Sequence, residues 1–257
     1  MFIFRTIHWG RAVRKRWLHM VAVFAGLALA TAGAVFWAGH SSVSTLAPDT
    51  VPTAPVILLD AGHGGEDGGA VAIDGTAEKE FNLPITLKLS AFLRALGYQV
   101  QLTRTEDKAT YSSGCKTLRE KKVSDIHNRF AMMEALPPTG LFMSIHQNHY
   151  VGEKYHGAQV FYSKNDPQSA VLAQAIQESV VAMLQPDNTR QIKPSGTEIY
   201  LLYEATRPAV LVECGFLSNT AETKLLHQDA YQNQMAFAIA CGLANYSAIP
   251  AAGVARQ

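Results

Sequence analysis

The sequence has almost no net charge and no internal repeats. Its 22 Lys and Arg residues nearly balance its 21 Asp and Glu residues, which leaves a formal net charge of +1. A protein that binds nucleic acid through its phosphates usually carries a clear excess of basic residues. The composition therefore gives no reason to expect a nucleic-acid partner. With 257 residues and 48% hydrophobic content, the chain can bury one substantial core in one or two domains.

Cysteine is scarce, and several well-known motifs are absent. The three cysteines, Cys115, Cys214 and Cys241, cannot all pair within one chain, and their spacing is not that of a zinc finger. No compact HExxH motif is present, and the glycine-rich GHGGEDGG does not fit the GxGxxG pattern of a dinucleotide site. These absences exclude a zinc finger, a zinc site of the HExxH helix type and a GxGxxG phosphate-binding loop.

Charge is also absent from one long stretch near the N-terminus. Residues 20–38 form an uncharged run of 19 mostly apolar residues, long enough to cross a bilayer as a helix. Five basic residues precede this run, and no Lys or Arg follows it until Lys79. The positive-inside rule therefore predicts that residues 1–19 are cytoplasmic and that the rest of the chain lies across the membrane.

A cleavable signal peptide is the alternative to this membrane anchor. Ala-x-Ala triplets occur at 30–32 and 32–34, as at signal cleavage sites. The apolar run continues past both triplets, which favours an uncleaved anchor. With either interpretation, the remainder is expected to work outside the cytoplasm, in the cell envelope or as a secreted protein.

The chain beyond the apolar run divides into a linker, one folded domain and a tail. Residues 39–55 are rich in Ser, Thr, Pro and Ala without apolar periodicity, which is typical of a linker. The folded domain is predicted at 56–249, and residues 250–257 form a short tail.

Strand-like and helix-like segments alternate along the domain. Strands are predicted at 55–60, 98–104, 140–146, 158–163, 199–203 and 209–213, and helices at 80–96, 121–135, 167–185 and 221–246. This alternation predicts an α/β fold: a single domain with a twisted, mostly parallel sheet of about six strands and helices on both faces. Ligands bind such sheets at the carboxyl ends of the strands.

Side chains that can bind a metal or transfer a proton lie at or just beyond the carboxyl ends of three of these predicted strands. They are His63 in VILLDAGHGGEDGG, His146 in FMSIHQN and Glu213 in AVLVECGFLSN, and Glu78 lies in AEKEFNL. Two histidines and one carboxylate are the ligands of a catalytic zinc that keeps its fourth position for water, and a second carboxylate can serve as the general base. Glu80 is the alternative to Glu78 as a ligand. The set predicts a hydrolase with one Zn²⁺ per chain.

Five segments, in this order and at these spacings, resemble the zinc-dependent N-acetylmuramoyl-L-alanine amidases: DAGHGGEDGGAV, AEKEFNL, LTR, SIHQN and PAVLVECGFLSN. The resemblance extends from residue 56 to about residue 245. It implies a peptidoglycan hydrolase that cuts the amide between the lactyl group of N-acetylmuramic acid and the L-alanine of the stem peptide. It also implies that His63, Glu78 and His146 bind the zinc and that Glu213 is catalytic. A single anchor followed by a lone catalytic domain resembles the members that act on spore cortex during sporulation and germination.

Two other functions stay open at this point. One is a zinc hydrolase of another cell-wall bond, such as a stem-peptide carboxypeptidase. The other is a non-catalytic relative that binds peptidoglycan. An activator protein is conceivable but not indicated, because no evident autoinhibitory helix interrupts 146–213.

Further residues are candidates for supporting roles. Asp60 and Glu66 could orient the ligands by accepting hydrogen bonds. Arg129 aligns with an arginine that recurs in the family and is expected to pair within the fold. His149 is a candidate for substrate contact. The polar segments 104–124 and 186–198 could form walls of the substrate groove, and the second offers Arg190 and Lys193 to stem-peptide carboxylates.

Overall fold

The computed structural model describes residues 55–248. Its strands are β1 Val56–Ala61, β2 Gln99–Leu102, β3 Leu141–Asn148, β4 Gln159–Tyr162, β5 Lys193–Pro194 and β6 Ala209–Phe216. Its helices are α1 Lys79–Ala95, α2 Leu118–Glu134, α3 Pro167–Met183, α4 Tyr200–Glu204, α5 Thr220–Leu226 and α6 Asp229–Ala248. The predicted basic segment 1–19, the apolar run 20–38, nearly all of the linker and the tail lie outside the described residues. Within 55–248, no helix combines the length and apolarity that a membrane span requires.

The six strands form one sheet in the order β2-β1-β3-β6-β4-β5. The neighbours β2, β1, β3 and β6 are parallel to one another, whereas β4 pairs antiparallel with β6 and parallel with β5. The prediction of a mostly parallel sheet of about six strands is therefore confirmed. The carboxyl ends of β1, β3 and β6, which carry the candidate site residues, lie side by side.

Helices cover both faces of the sheet because successive side chains of the central strands point to opposite faces, and the side chains on both faces are apolar. Ile57 and Leu59 of β1 pack in a core that includes residues of α1, α3 and α6. Leu58, between them, packs on the opposite face against residues of α2 and α4. Residues buried on both faces produce the continuous apolar runs that mark parallel strands in a sequence. Each fully buried large aliphatic side chain contributes roughly 1.5–3 kcal/mol to this three-layer arrangement.

The structure departs from the predicted elements in three places. The predicted strand 199–203 is instead the short helix α4, whose Leu201 and Leu202 are buried against the sheet. The predicted helix 221–246 is divided into α5 and α6 around His227 and Gln228. The edge strand β5, only two residues long, was not predicted. All three cysteines are unpaired.

Candidate metal centre

His63 lies in the loop that follows β1, and its backbone conformation is unusual. Its φ angle of 61° is in the left-handed region, which few residues other than glycine adopt. Gly64 and Gly65 also have positive φ. Because such a turn costs free energy, the surrounding structure has to hold it in place.

Two buried arginines hold the backbone of this loop. Arg129 of α2 donates hydrogen bonds to the carbonyls of Ala61 at 2.8 Å and His63 at 2.7 Å. Arg104, which follows β2, donates to the carbonyls of Ala61 at 2.9 Å and Gly62 at 3.1 Å. Three consecutive carbonyls are thus fixed by charged donors, which form the stronger class of hydrogen bond. The His63 loop, residues 62–69, is therefore rigidly placed.

Glu78 lies between the two histidines, immediately before α1, and is only 3% exposed. Its Oε2 lies 3.1 Å from Nε2 of His63, and its Oε1 lies 2.9 Å from Nδ1 of His146. The backbone amides of Ala70 and Gln147 also donate to this carboxylate, at 3.0 and 3.1 Å. Burial raises the pKa of Glu78, but the hydrogen bonds and charges of both histidines outweigh it and hold the pKa far below its usual range. The rival Glu80 is exposed.

The second ring nitrogen of His63 is held by Asp67, a residue that is not among those predicted from the sequence. Nδ1 of His63 lies 2.8 Å from Oδ2 of Asp67, and Lys122 of α2 forms an ion pair with the other carboxylate oxygen at 2.8 Å. Burial lowers the pKa of His63, but the hydrogen bonds to Asp67 and Glu78 outweigh burial and raise the pKa to about 9. Because Asp67 holds Nδ1 of His63, the other ring nitrogen, Nε2, faces the carboxylate of Glu78.

The imidazole of His146 completes the cluster from the end of β3. Its ring centroid lies 5.0 Å from that of His63. His63, Glu78 and His146 each offer one donor atom, and these three atoms lie within 4.8 Å of one another. A Cβ atom on Gly62 would collide with the His146 ring. The glycine after β1 is therefore required for the close approach of the two strand ends.

Glu213 faces this cluster from β6 but makes different contacts. In the sheet, it lies directly opposite His146. Its Oε2 is buried and has no hydrogen-bond partner within residues 55–248. Burial raises the pKa of Glu213 to about 7, although the charge of His146 acts in the opposite direction. A buried carboxyl group without a partner, beside a set of metal-binding donors, is typical of a functional site.

The remaining predicted residues do not touch the three donor atoms. Asp60 accepts hydrogen bonds from Thr103 at 2.8 Å and Ser144 at 2.6 Å, and it pairs with Arg129. Burial raises the pKa of Asp60, but the charge of Arg129 and the hydrogen bond from Ser144 outweigh it and lower the pKa. Asp60 thus holds the arginine that fixes the loop, rather than a histidine, and the predicted internal pairing of Arg129 is present.

Glu66 and His149 are exposed, and neither lies among the donors. Glu66 forms an ion pair with Lys121 of α2. It does not accept the predicted hydrogen bond from a ligand, and Asp67 accepts one from His63 instead. His149 follows the end of β3. In segment 104–124, Asp107 accepts a hydrogen bond from the backbone amide of Gly65 at 2.8 Å, so part of this segment packs on the His63 loop.

Residues 57–245 match the family model described as N-acetylmuramoyl-L-alanine amidase. The chain belongs to the N-acetylmuramoyl-L-alanine amidase family. It is 33% identical over 191 residues to the germination-specific N-acetylmuramoyl-L-alanine amidase of Bacillus subtilis, covering 74% of this chain and 79% of that relative.

Solved structures of family members have the same fold. The CwlD amidase from Clostridioides difficile, solved in complex with the GerS lipoprotein, matches with a TM-score of 0.72 and 42% identity over 75% of this chain and 98% of that one. The amidase AmiC2 of Nostoc punctiforme matches with a TM-score of 0.63 and 28% identity over 75% and 97%. This amidase is therefore a hydrolase of the amide bond in peptidoglycan, as the resemblance in the sequence implied.

Proposed function

We propose that this amidase cleaves the bond between N-acetylmuramic acid and L-alanine with one zinc ion held by His63, Glu78 and His146. The donor set supports this proposal, because two imidazoles and a carboxylate are characteristic of catalytic zinc sites. The distances of 2.9 and 3.1 Å between carboxylate and imidazole atoms are close to the separation of two ligands bonded at roughly 2.0–2.1 Å to one ion. The hydrogen bond that Nδ1 of His63 donates to the carboxylate of Asp67 is the usual support for a zinc-binding imidazole.

When bound, zinc lowers the pKa of water and polarises the scissile carbonyl. Glu213 is proposed to take the proton of the attacking water and to return it to the nitrogen of L-alanine as the amide breaks. A pKa near 7 suits both steps, because the carboxylate must accept a proton and then release it. Glu78 has the opposite environment and stays ionised, as a ligand must. The single observation that carries this assignment is the unpartnered Oε2 of Glu213, opposite His146.

The test is to digest purified sacculi with the full-length chain and to identify the new chemical ends. We expect new L-alanine amino groups that appear with zinc and vanish with a chelator. New reducing sugar ends would indicate a glycosidase, and released D-alanine would indicate a carboxypeptidase. If the chain binds sacculi but produces no new chemical ends, it would be a non-catalytic relative.

We further propose that residues 20–38 anchor the enzyme in the cytoplasmic membrane, with 39–55 as the linker to a catalytic domain in the envelope. The uncharged run and the basic residues before it support this topology. Cell fractionation tests it: the chain should sediment with membranes at its full mass, and domain 56–249 should be digested by protease added from outside. A shortened chain in the soluble fraction would instead establish cleavage at 30–34.

A further inference from the structure

One cation beside the candidate site is not used by the proposed mechanism. Arg190 lies in the loop between α3 and β5, and its guanidinium carbon lies 4.8 Å from the ring centroid of Phe216. One of its terminal nitrogens donates to the side-chain carbonyl of Gln159, and its backbone amide donates to Oδ1 of Asn188 at 2.9 Å. A planar guanidinium that is stacked on a ring and hydrogen-bonded at one edge has a fixed orientation. The side chain of Arg190 is therefore preorganised: contacts within the protein fix its orientation before a ligand binds.

The two side chains that hold this guanidinium are both neighbours of Glu213 in the sheet. Because β4 runs antiparallel to β6, Gln159 at the start of β4 is directly opposite Glu213 in the sheet. Phe216, the ring beneath the guanidinium, is three residues further along the same strand as Glu213. Arg190 thus sits next to the proposed general base, at the edge of the site away from His63.

The guanidinium has donor capacity that the protein does not use. Its Nε is buried and has no hydrogen-bond partner within residues 55–248. No carboxylate in that range forms an ion pair with Arg190. The nearby Glu222 already accepts hydrogen bonds from the backbone amides of Gly157 at 2.9 Å and Phe216 at 2.7 Å. A fixed cation with free donors, next to the reacting centre, is suited to bind an anionic group of the substrate.

We propose that Arg190 binds the first free carboxylate of the stem peptide, and that the amidase thereby prefers stems in which this carboxylate is not amidated. This inference rests on the proposed function. In the stem, L-alanine is followed by a D-glutamate that is linked through its side-chain carboxyl, so its α-carboxyl is free unless amidated. That group lies two residues from the scissile bond, within about 7 Å along the chain. A cation beside Glu213 can therefore contact this carboxylate while the scissile bond is at the site, whereas a cation elsewhere on the sheet would be too far away.

Lys193 is the other cation of the same segment, and it is less suited to this role. It lies exposed on β5, and its ammonium is 5.8 Å from the ring centroid of Phe161. Phe161 pairs with Leu211, which is two residues before Glu213 on β6. Lys193 therefore lies farther from the site than Arg190 and provides a matched control that removes the same charge.

The experiment compares two muropeptides that differ only in the second stem residue, D-glutamate or its α-amide, with the full-length zinc-loaded chain. We expect the wild type to cleave the free carboxylate with a kcat/KM about 10- to 100-fold higher, mainly through a lower KM. In Arg190→Gln the two substrates should become equal to within about twofold, whereas Lys193→Gln should keep the wild-type preference. Arg190→Lys should keep only part of it, because an ammonium lacks the guanidinium fork.

The ratio of the two substrates is measured on one protein sample, so partial unfolding of a variant does not change it. Equal cleavage of both muropeptides by the wild type, or an unchanged preference in Arg190→Gln, would overturn the proposed role. Failure of the amidase assignment has a different outcome, in which the zinc-loaded wild type releases no L-alanine amino groups from either substrate.

Discussion

Glu78 and Glu213 are carboxylates of the same small site, yet their pKa values shift in opposite directions. Glu78 accepts hydrogen bonds from two imidazoles and two backbone amides, which keep it ionised. Glu213 has a buried Oε2 without a hydrogen-bond partner among the described residues, and burial raises its pKa to about 7. Two carboxyl groups whose pKa values are driven apart in one site usually serve as a ligand or stabiliser and as an acid–base group.

The first prediction concerns Glu213. Glu213→Gln keeps the shape of the side chain but cannot accept the proton of water, so we expect kcat to fall by about 10²–10⁴-fold with zinc content unchanged. Turnover of muropeptides and metal analysis by mass spectrometry check both parts. The exposed Glu204 of α4 gives the control Glu204→Gln, which should retain wild-type kcat. A fully active Glu213→Gln enzyme would remove Glu213 from the mechanism.

The second prediction concerns the support of His63 by Asp67. Asp67→Asn removes the negative charge that holds Nδ1 of His63, so zinc should bind about 10- to 100-fold more weakly. Competition with a chromogenic chelator measures this affinity. Asp74→Asn removes a charge that pairs with His227 at the protein surface and should leave zinc affinity unchanged. Equal zinc affinities for the two variants would contradict a supporting role of Asp67.

The third prediction concerns pH. Below a pKa of about 9, His63 carries a proton in the metal-free protein, and zinc must displace that proton in order to bind. Apparent zinc affinity should therefore rise with pH, by up to tenfold per unit between about pH 7 and pH 9, and then level off. Isothermal titration in several buffers also reports the released proton. A flat affinity between pH 7 and pH 9 would show that His63 is already neutral.

At the scale of the elements, the sequence predicted best where an element is long and its pattern is unambiguous. The strands β1, β3 and β6 are apolar runs that end in polar residues, so both the strands and the placement of site residues at their carboxyl ends could be anticipated. Residues 199–203, which were predicted as a strand, have the sequence IYLLY. This run is too short to distinguish a strand from a helix by its period, and residues 200–204 form the helix α4. Two residues that include a proline cannot identify the edge strand β5.

Other features had signals in the sequence that were overlooked. Thr117 and Glu120 form a capping box, and the T-x-x-E pattern could have placed the start of α2 at residue 118 instead of 121. Asp67 is four residues after His63, and the choice between it and the adjacent Glu66 depended on the turn of the loop. That turn is set by φ angles at His63, Gly64 and Gly65, which sequence pattern alone does not give.

The fourth prediction concerns the contact between the ends of β1 and β3. A methyl group at position 62 would meet the imidazole of His146, so Gly62→Ala should displace that ring and abolish stoichiometric zinc binding. Gly68→Ala is the matched control in the same loop, because its Cβ would lie at an ordinary 3.4 Å from Ala77. Metal content together with circular dichroism distinguishes a local effect from unfolding. Normal zinc content in Gly62→Ala would mean that the site tolerates a shifted histidine.

At the scale of the whole molecule, the catalytic part is expected to stand alone. The family match begins at residue 57 and ends at residue 245, and every candidate site residue lies within that range. The fifth prediction is that a chain without residues 1–54 keeps its melting temperature to within about 3 °C and its kcat on soluble muropeptides. Calorimetry and turnover measure both, and a large loss of either would show that the N-terminal segment supports the fold or the site.

The reversed direction of β4 places the proposed zinc ligands and the proposed contact with the stem peptide on different segments of the chain. The proposed zinc ligands come from the β1–α1 and β3 segments, whereas the chain that enters β4 and the chain that enters β5 border Glu213 from the opposite edge. We therefore expect insertions or exchanges in these two connections to leave every proposed ligand in place. If these connections contact the stem peptide as proposed, the choice of cell wall could change through them while the zinc ligands stay the same.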